Sequence, residues 1–243
     1  MLDDLEEKEG VIENPSPLMF LEMTRDPGRE VIDFRVGERT FAILPRVYDP
    51  SFFDASLFCL ENILMEPEEC VLEVGSGCGV FAVCAALSGS TVTAVDISPD
   101  AVQNTRMNAW THNVPMRVYE GDVYDPLPAG ERFDIVFWHA PYVLMRRPVK
   151  DVVERMLYDP HYEGLTRFIR EGFGGTSPRV AAGGRMILGW SRDLGHMEAV
   201  DRLAAEVGAK VEILAERIVT AGVYSYCVLC LTRKSRTRRR VLE

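Results

Sequence analysis

The stretch that constrains this chain most is Val71-Leu72-Glu73-Val74-Gly75-Ser76-Gly77-Cys78-Gly79-Val80-Phe81. An apolar run stops at a turn with glycine at every second position, and an apolar helical pattern follows. Glycine there permits positive φ and lets backbone amides approach a ligand closely. A strand, such a turn and a helix in succession belong to a parallel α/β sheet, whose ligands bind beyond the carboxyl ends of the strands. The spacing also discriminates between ligands. A dinucleotide fingerprint starting at Gly75 needs glycine or alanine at position 80, where this chain has Val80. An acid two residues ahead of the first glycine, Glu73, suits an ammonium group better than a pyrophosphate.

From residue 70 onward strand and helix patterns alternate. Strands are expected near 70–74, 91–96, 115–119, 133–138, 184–189, 209–215 and 223–231, and helices near 79–88, 98–110, 161–172 and 193–207. This alternation predicts an α/β, Rossmann-like, doubly wound and mostly parallel sheet of seven strands. The last two, joined at Ala221-Gly222, should be antiparallel to each other. Upstream, residues 31–45 alternate around Gly37-Glu38 and predict a hairpin. Residues 51–66 predict a helix with Phe53, Leu57, Leu60 and Leu64 on one stripe. At 243 residues a single large domain suffices. Its expected parts are an acidic arm and hairpin over 1–45, the main domain over 46–232 and a basic tail over 233–243.

Two further acids stand at strand ends. Asp96 closes Thr-Val-Thr-Ala-Val-Asp, about 20 residues beyond Gly75, where a carboxylate can accept both hydroxyls of a ribose. Asp122, in Tyr119-Glu120-Gly121-Asp122, stands at the next strand end, in reach of an adenine amino group. Each acid alone could simply cap the following helix. Three at regular strand ends point to one ligand.

These residues carry a resemblance. Glu73-Val-Gly75-Ser-Gly77-Cys-Gly79, Val95-Asp96-Ile97-Ser98 and Gly121-Asp122-Val123 resemble the cofactor motifs of class I S-adenosylmethionine-dependent methyltransferases, over about residues 45–232. The resemblance implies an antiparallel last strand and S-adenosyl-L-methionine as cofactor. It implies Glu73 and the glycine loop (Gly75, Gly77, Gly79) at the methionyl part, Asp96 with Ile97 at the ribose, and Asp122 with Val123 at the adenine.

The fourth strand then ends beside the cofactor's methyl group, in Phe137-Trp138-His139-Ala140-Pro141-Tyr142. Pro141 has no amide hydrogen for a sheet ladder, so the strand must stop there. The tetrad His139-Ala140-Pro141-Tyr142 is similar to the (Asn/Asp)-Pro-Pro-(Tyr/Phe) motif of amino-methyltransferases such as release-factor glutamine and adenine-N6 enzymes, with two departures. The similarity implies that the first side chain and the following carbonyl accept hydrogen bonds from the substrate NH2, while the ring packs on the planar acceptor. His139 and Tyr142 are thus the catalytic candidates, with His139 also at the cofactor's edge, and Ala140, Pro141 and Tyr142 meet the substrate. A histidine can accept one such bond as asparagine does, or act as a general base, which would open O-methylation instead. A non-catalytic S-adenosylmethionine-binding protein is the third alternative. Arg146, in the Arg146-Arg147-Pro-Val-Lys150 segment that follows, is a candidate for holding a substrate carboxylate or phosphate.

Leu44-Pro45-Arg46-Val47-Tyr48-Asp49-Pro50 is similar to the entry of the catalytic domain in the same enzymes. The acidic stretch of about forty residues ahead of it is not expected to replace the helical domain by which release-factor enzymes grip their protein substrate. Composition narrows the partners. A formal charge of −10 argues against a large nucleic-acid surface, although the basic tail from Arg233 to Arg240 can make a weak phosphate contact. A small molecule or a protein side chain is the expected acceptor. No apolar run reaches the roughly 18 residues of a membrane span, and the acidic start is unlike a signal peptide, so a cytoplasmic protein is expected. Of six cysteines, Cys227 and Cys230 form a CxxC inside a strand pattern, where residues three apart face opposite ways and cannot share a metal. No metal site is expected, and the sequence does not specify the oligomeric state.

Overall fold

The computed structural model describes residues 17–219 and 224–233. The acidic stretch up to residue 16, the Ala221-Gly222 turn and the basic tail from Lys234 lie outside the described residues. In chain order the elements are α1 (Pro17–Arg25), β1 (Ile32–Val36), β2 (Arg39–Ile43), α2 (Ala55–Asn62), β3 (Cys70–Val74), α3 (Val80–Leu87), β4 (Thr91–Asp96), α4 (Pro99–Thr111), β5 (Arg117–Glu120) and β6 (Phe133–His139). There follow β7 (Val143–Met145), β8 (Tyr158–Pro160), α5 (Glu163–Phe173), β9 (Val180–Trp190), α6 (Met197–Glu206), β10 (Lys210–Val219) and β11 (Tyr224–Thr232).

Seven strands form one sheet in the order β10-β11-β9-β6-β3-β4-β5. Neighbours from β9 through β5 are parallel, while β11 runs antiparallel to both β9 and β10. From β3 the chain winds outward to β5, then returns to place β6 on the other side of β3. The order therefore reverses between β3 and β6, and the crevice of a doubly wound sheet opens there. Val74 pairs with Trp138 across this boundary, so the glycine loop and His139 leave the sheet side by side.

The central strands are apolar without interruption because both faces are covered. Along β6, Ile135 and Phe137 enter the core layer that holds α2 and α3, while Val136 and Trp138 enter the layer under α5 and α6. Fully burying side chains such as Leu72, Ile135 and Phe137 contributes roughly 1.5–3 kcal/mol each. Cys227 and Cys230 fall in opposite layers, as the strand alternation requires.

Several boundaries differ from the sequence expectation. Helix α2 covers 55–62 rather than 51–66, and it buries Ala55, Phe58 and Cys59, while Leu64 lies exposed beyond its end. Strand β9 begins at Val180 because that residue pairs with Phe133 before the register shifts. Helix α6 begins at Met197 rather than 193: Gly195 packs against the Trp190 ring so closely that a Cβ there would lie 2.6 Å from Cε2. The stretch after the fourth strand is not simply a loop, since β7 and β8 pair in a small parallel ladder with a 3-10 turn, Glu154–Met156, between them.

The N-terminal hairpin is sewn to α4. Asn104 accepts from the Leu44 amide at 2.8 Å and donates to the Ala42 carbonyl at 2.8 Å. Asn108, one turn on, accepts from the Ala42 amide at 3.0 Å and donates to the Ala42 and Cys78 carbonyls, both at 2.8 Å. One side chain thus ties the hairpin to the glycine loop. Among the described residues no helix is long and apolar enough to cross a membrane.

Candidate active site

A cleft of about 460 Å³ opens over the carboxyl ends of β3, β4 and β6. Its first half is built by main chain. Gly75 and Gly77 hold φ of +66° and +55°, the left-handed region that favours glycine. A Cβ on Gly75 would lie 2.7 Å from Trp138 Nε1, whereas a Cβ on Gly77 would meet no protein atom within 4 Å. The Gly75 amide donates to the Val95 carbonyl at 2.8 Å. The Gly77 amide donates to Asp96 Oδ2 at 2.8 Å, and the Ser98 amide donates to Asp96 Oδ1 at 2.8 Å. Helix α4 supplies the brace behind the loop: the Thr105 hydroxyl donates to the Gly77 carbonyl at 3.1 Å and lies 2.9 Å from the Ser76 hydroxyl.

Two carboxylates stand at this floor. Glu73 is only 5% exposed, its Oε2 accepts the Ala82 amide of α3 at 3.0 Å, and burial pushes its pKa well up, with the neighbouring Asp96 charge adding to the shift. Asp96 is 9% exposed; burial raises its pKa to about 6 against the opposing hydrogen bonds from the Gly77, Ser98 and Ile97 amides. A buried carboxylate that faces a cavity favours a cation or hydroxyl donors as neighbours. Ile97, Asp122 and Val123 also line the cleft. Asp122 Oδ2 is engaged by Arg167 of α5 at 3.3 Å, and the buried Val123 takes φ of +51°, a strained value for a β-branched residue. Gly79 is not in the lining; it starts α3, and a Cβ there would strike Thr105 at 2.9 Å.

The second half is built by side chains. His139, Ala140, Pro141 and Tyr142 all line the cleft, with Tyr48, Phe53 and Tyr226 around them. His139 Nδ1 is 3.2 Å from the Ser56 hydroxyl of α2, and its ring stands edge-on to Tyr48. Behind it is Gly189, where a Cβ would lie 2.9 Å from His139 Cδ2. Burial lowers the His139 pKa to about 4, so the imidazole is neutral near pH 7. The Tyr162 hydroxyl donates to the Tyr142 carbonyl at 2.9 Å, accepts from the His196 amide at 3.1 Å and meets His196 Nδ1 at 3.0 Å. It sits at the start of α5 with φ of +55°.

A flap closes this side. Phe20 and Leu21 of α1 are buried with Met145, Val153 and Tyr158, and Phe20 meets Tyr48, Phe52 and Phe53 edge to face. Glu154 anchors the flap by accepting from Arg25 at 3.3 Å and Arg147 at 3.1 Å. Arg146 is exposed and stands outside the lining, where the guanidinium-bearing residue is Arg155 instead. Sequence reasoning also missed Ser56 and the α4 brace. Only the i, i+4 spacing of Asn104 and Asn108 hinted at the last.

Comparison with known proteins agrees with this geometry. A family model described as a methyltransferase domain matches residues 71–158. A putative protein N5-glutamine methyltransferase of Methanocaldococcus jannaschii is 30% identical over 176 residues, which are 70% of this chain and 85% of that protein. The release factor glutamine methyltransferase of Geobacter sulfurreducens is 30% identical over 156 residues, 59% of this chain and 55% of the relative. The ribosomal protein uL3 glutamine methyltransferase of Burkholderia pseudomallei is 32% identical over 133 residues, 50% of this chain and 42% of the relative. The chain thus spans about half the length of these last two. Among solved structures, a T. thermophilus 16S rRNA N2 methyltransferase in complex with AdoMet and guanosine superposes with a TM-score of 0.62 at 20% identity, over 84% of this chain and 50% of that one. The ribosomal protein L11 methylase of Lactobacillus delbrueckii subsp. bulgaricus gives 0.55 at 17%, over 79% and 84% of the two chains. These structural likenesses establish the fold.

Proposed function

Since this chain belongs to the class I S-adenosylmethionine-dependent methyltransferases, in the branch of the glutamine methyltransferases, we propose that it methylates the side-chain amide nitrogen of a glutamine in a protein. The observation that carries the reading is the Val74–Trp138 pairing, which sets the glycine loop and the His139 loop at adjacent strand ends over one cleft.

The cofactor supplies an electrophilic methyl carbon on a sulfonium sulfur. Glu73 faces its ammonium, Gly75 and Gly77 admit its methionyl chain, Asp96 accepts the ribose hydroxyls beside Ile97, and Asp122 with Val123 flanks the adenine. On the acceptor side, His139 and the Ala140 carbonyl each accept one N–H of the amide, while Pro141 and Tyr142 hold its plane. In the tautomer whose Nδ1–H donates to the Ser56 oxygen, Nε2 keeps a lone pair for the substrate. Held in this way, the amide nitrogen would be presented to the methyl group that the bound cofactor would supply, and the amide proton would leave to water. Alignment supplies most of the rate. A pKa near 4 makes His139 a poor base at neutral pH and an adequate acceptor, which favours nitrogen over hydroxyl methylation.

The test is transfer from isotopically labelled S-adenosylmethionine to a panel of peptides, each with one glutamine, serine or glutamate, the modified atom being located by fragmentation mass spectrometry. Label on the glutamine amide is expected. Label confined to hydroxyl or carboxyl oxygens would refute the proposal.

A further inference from the structure

The ion pairs of this protein are unevenly shared around the flap. Glu154 is buried, serves both Arg25 and Arg147, and accepts the Lys150 amide at 2.8 Å. Arg155, the next residue in the same turn, has none of this. It is half-buried and lines the cleft, yet among the described residues its guanidinium has no ion pair and no side-chain hydrogen bond. The carboxylate that reaches it electrostatically, Asp159, is already committed: Oδ1 accepts the Gly164 amide at 3.0 Å and Oδ2 the Leu165 amide at 2.8 Å, capping α5. A partly desolvated cation without a partner is costly, and its cost is recovered when an anion arrives. The surrounding acceptor half is aromatic, with Tyr48, Phe53, Tyr142 and Tyr158 in the lining. On a chain of net charge −10, an unpaired cation in that wall is a selective feature.

We infer that Arg155 is a specificity residue that binds a glutamate or aspartate side chain of the acceptor polypeptide, close in sequence to the methylated amide. The inference rests on the glutamine reading for what occupies the rest of the cleft. The planar fork of a guanidinium matches a carboxylate with two parallel hydrogen bonds, and the rigid flap holds it at a fixed distance from His139's strand end. The turn carrying Arg155 is immobilised by its neighbour Glu154, so the recognition arm needs little ordering on binding.

Two measurements test this on the full-length protein. With arginine labelled in nitrogen-15 and the site saturated with S-adenosylhomocysteine, N-acetyl-Glu-Gln-amide, N-acetyl-Gln-Gln-amide and inorganic phosphate are titrated separately. The Arg155 Nε–Hε signal, assigned by its loss in Arg155→Lys, is expected to shift saturably with the glutamate dipeptide and not with the glutamine one. A shift with phosphate alone would overturn the inference. In the second, glutamine peptides with an acidic, neutral or basic neighbour are compared as acceptors. The acidic neighbour should raise kcat/KM about tenfold, the size of one charge-assisted hydrogen bond, and Arg155→Glu should reverse the preference toward lysine. A dipeptide-dependent shift without methylation of any peptide would refute the glutamine reading and leave the acidic subsite standing. Methylation indifferent to neighbouring charge, with a silent Arg155 signal, would do the opposite.

Discussion

The two halves of the cleft are built from different materials. In the half proposed for the cofactor, the positions are set by main-chain amides: Gly75 and Ser76 amides on the Val95 carbonyl, the Gly77 and Ser98 amides on the Asp96 carboxylate, and the Gly121 amide on the Asp96 carbonyl. In the half proposed for the acceptor they are set by side chains: Ser56 on His139, Tyr162 on the Tyr142 carbonyl, Glu154 between two arginines, and three aromatic rings against Phe20 of α1. A cradle of backbone amides serves a ligand that does not vary. A wall of side chains can be altered one residue at a time without disturbing the sheet, which suits the half proposed for substrate choice.

That contrast can be broken by experiment. The largest effect on cofactor binding is expected from Gly75→Ala. The left-handed φ costs an L-residue about 1–2 kcal/mol, and the added methyl must displace the Trp138 indole at 2.7 Å. Calorimetry should find S-adenosylmethionine binding weakened by about 100-fold, some 2.7 kcal/mol; intact affinity would mean the cradle is not built as described. His139→Ala should lower kcat by roughly 10²–10³, the loss typical of one preorganised hydrogen-bonding group, with far less change in cofactor affinity. His139→Asn restores an acceptor and should stay within about tenfold of wild type. If the asparagine variant were as dead as the alanine one, His139 would be working as a base.

Acidity should separate the halves next. Asp96 has its pKa raised to about 6, and in the proposed reading its ionised form is the one that accepts the ribose hydroxyls. Lowering the pH through 6 protonates it, so cofactor affinity should hold above pH 7 and fall by up to tenfold for each unit below 6. Asp96→Asn should flatten that limb. At saturating cofactor, kcat should show no His139 titration between pH 5 and 8, because that ring is already neutral above about 4. The smallest effect belongs to Tyr162→Phe, which removes the hydroxyl joining the Tyr142 carbonyl to His196; with the bond to the Tyr142 carbonyl worth about 1 kcal/mol, kcat should drop roughly fivefold while the cofactor Kd stays put. An equal loss in cofactor affinity would show that the two halves are mechanically coupled.

The same division explains what could be read in advance. A backbone cradle demands glycine and acid at fixed intervals, and Glu73, Gly75, Gly77 and Asp96 stand where those intervals put them. The parallel sheet followed from apolar runs that alternate between two buried layers. The acceptor half left fainter traces. Strands β7 and β8 have three residues each, too short for any periodicity, so nothing fixed which of Arg146, Arg147 and Arg155 would face inward. Ser56 lies 83 residues from the ring it contacts. Asn104, Thr105 and Asn108 read as the polar face of α4, yet all three are fully buried because they satisfy backbone groups of the hairpin and glycine loop.

Strand β11 has a consequence for biosynthesis. It follows every other described strand in the sequence, yet it lies inside the sheet, between β9 and β10. A nascent chain that has emerged only as far as β10 therefore exposes the unpaired edge of β9, whose Gly189 packs against His139. Such an edge is an invitation to foreign strands until Tyr224–Thr232 inserts and closes it. Assembly of the His139 side of the cleft thus waits on the last of the described strands, and a chain stalled before residue 224 would reach the quality-control machinery with its glycine loop written and its sheet still open.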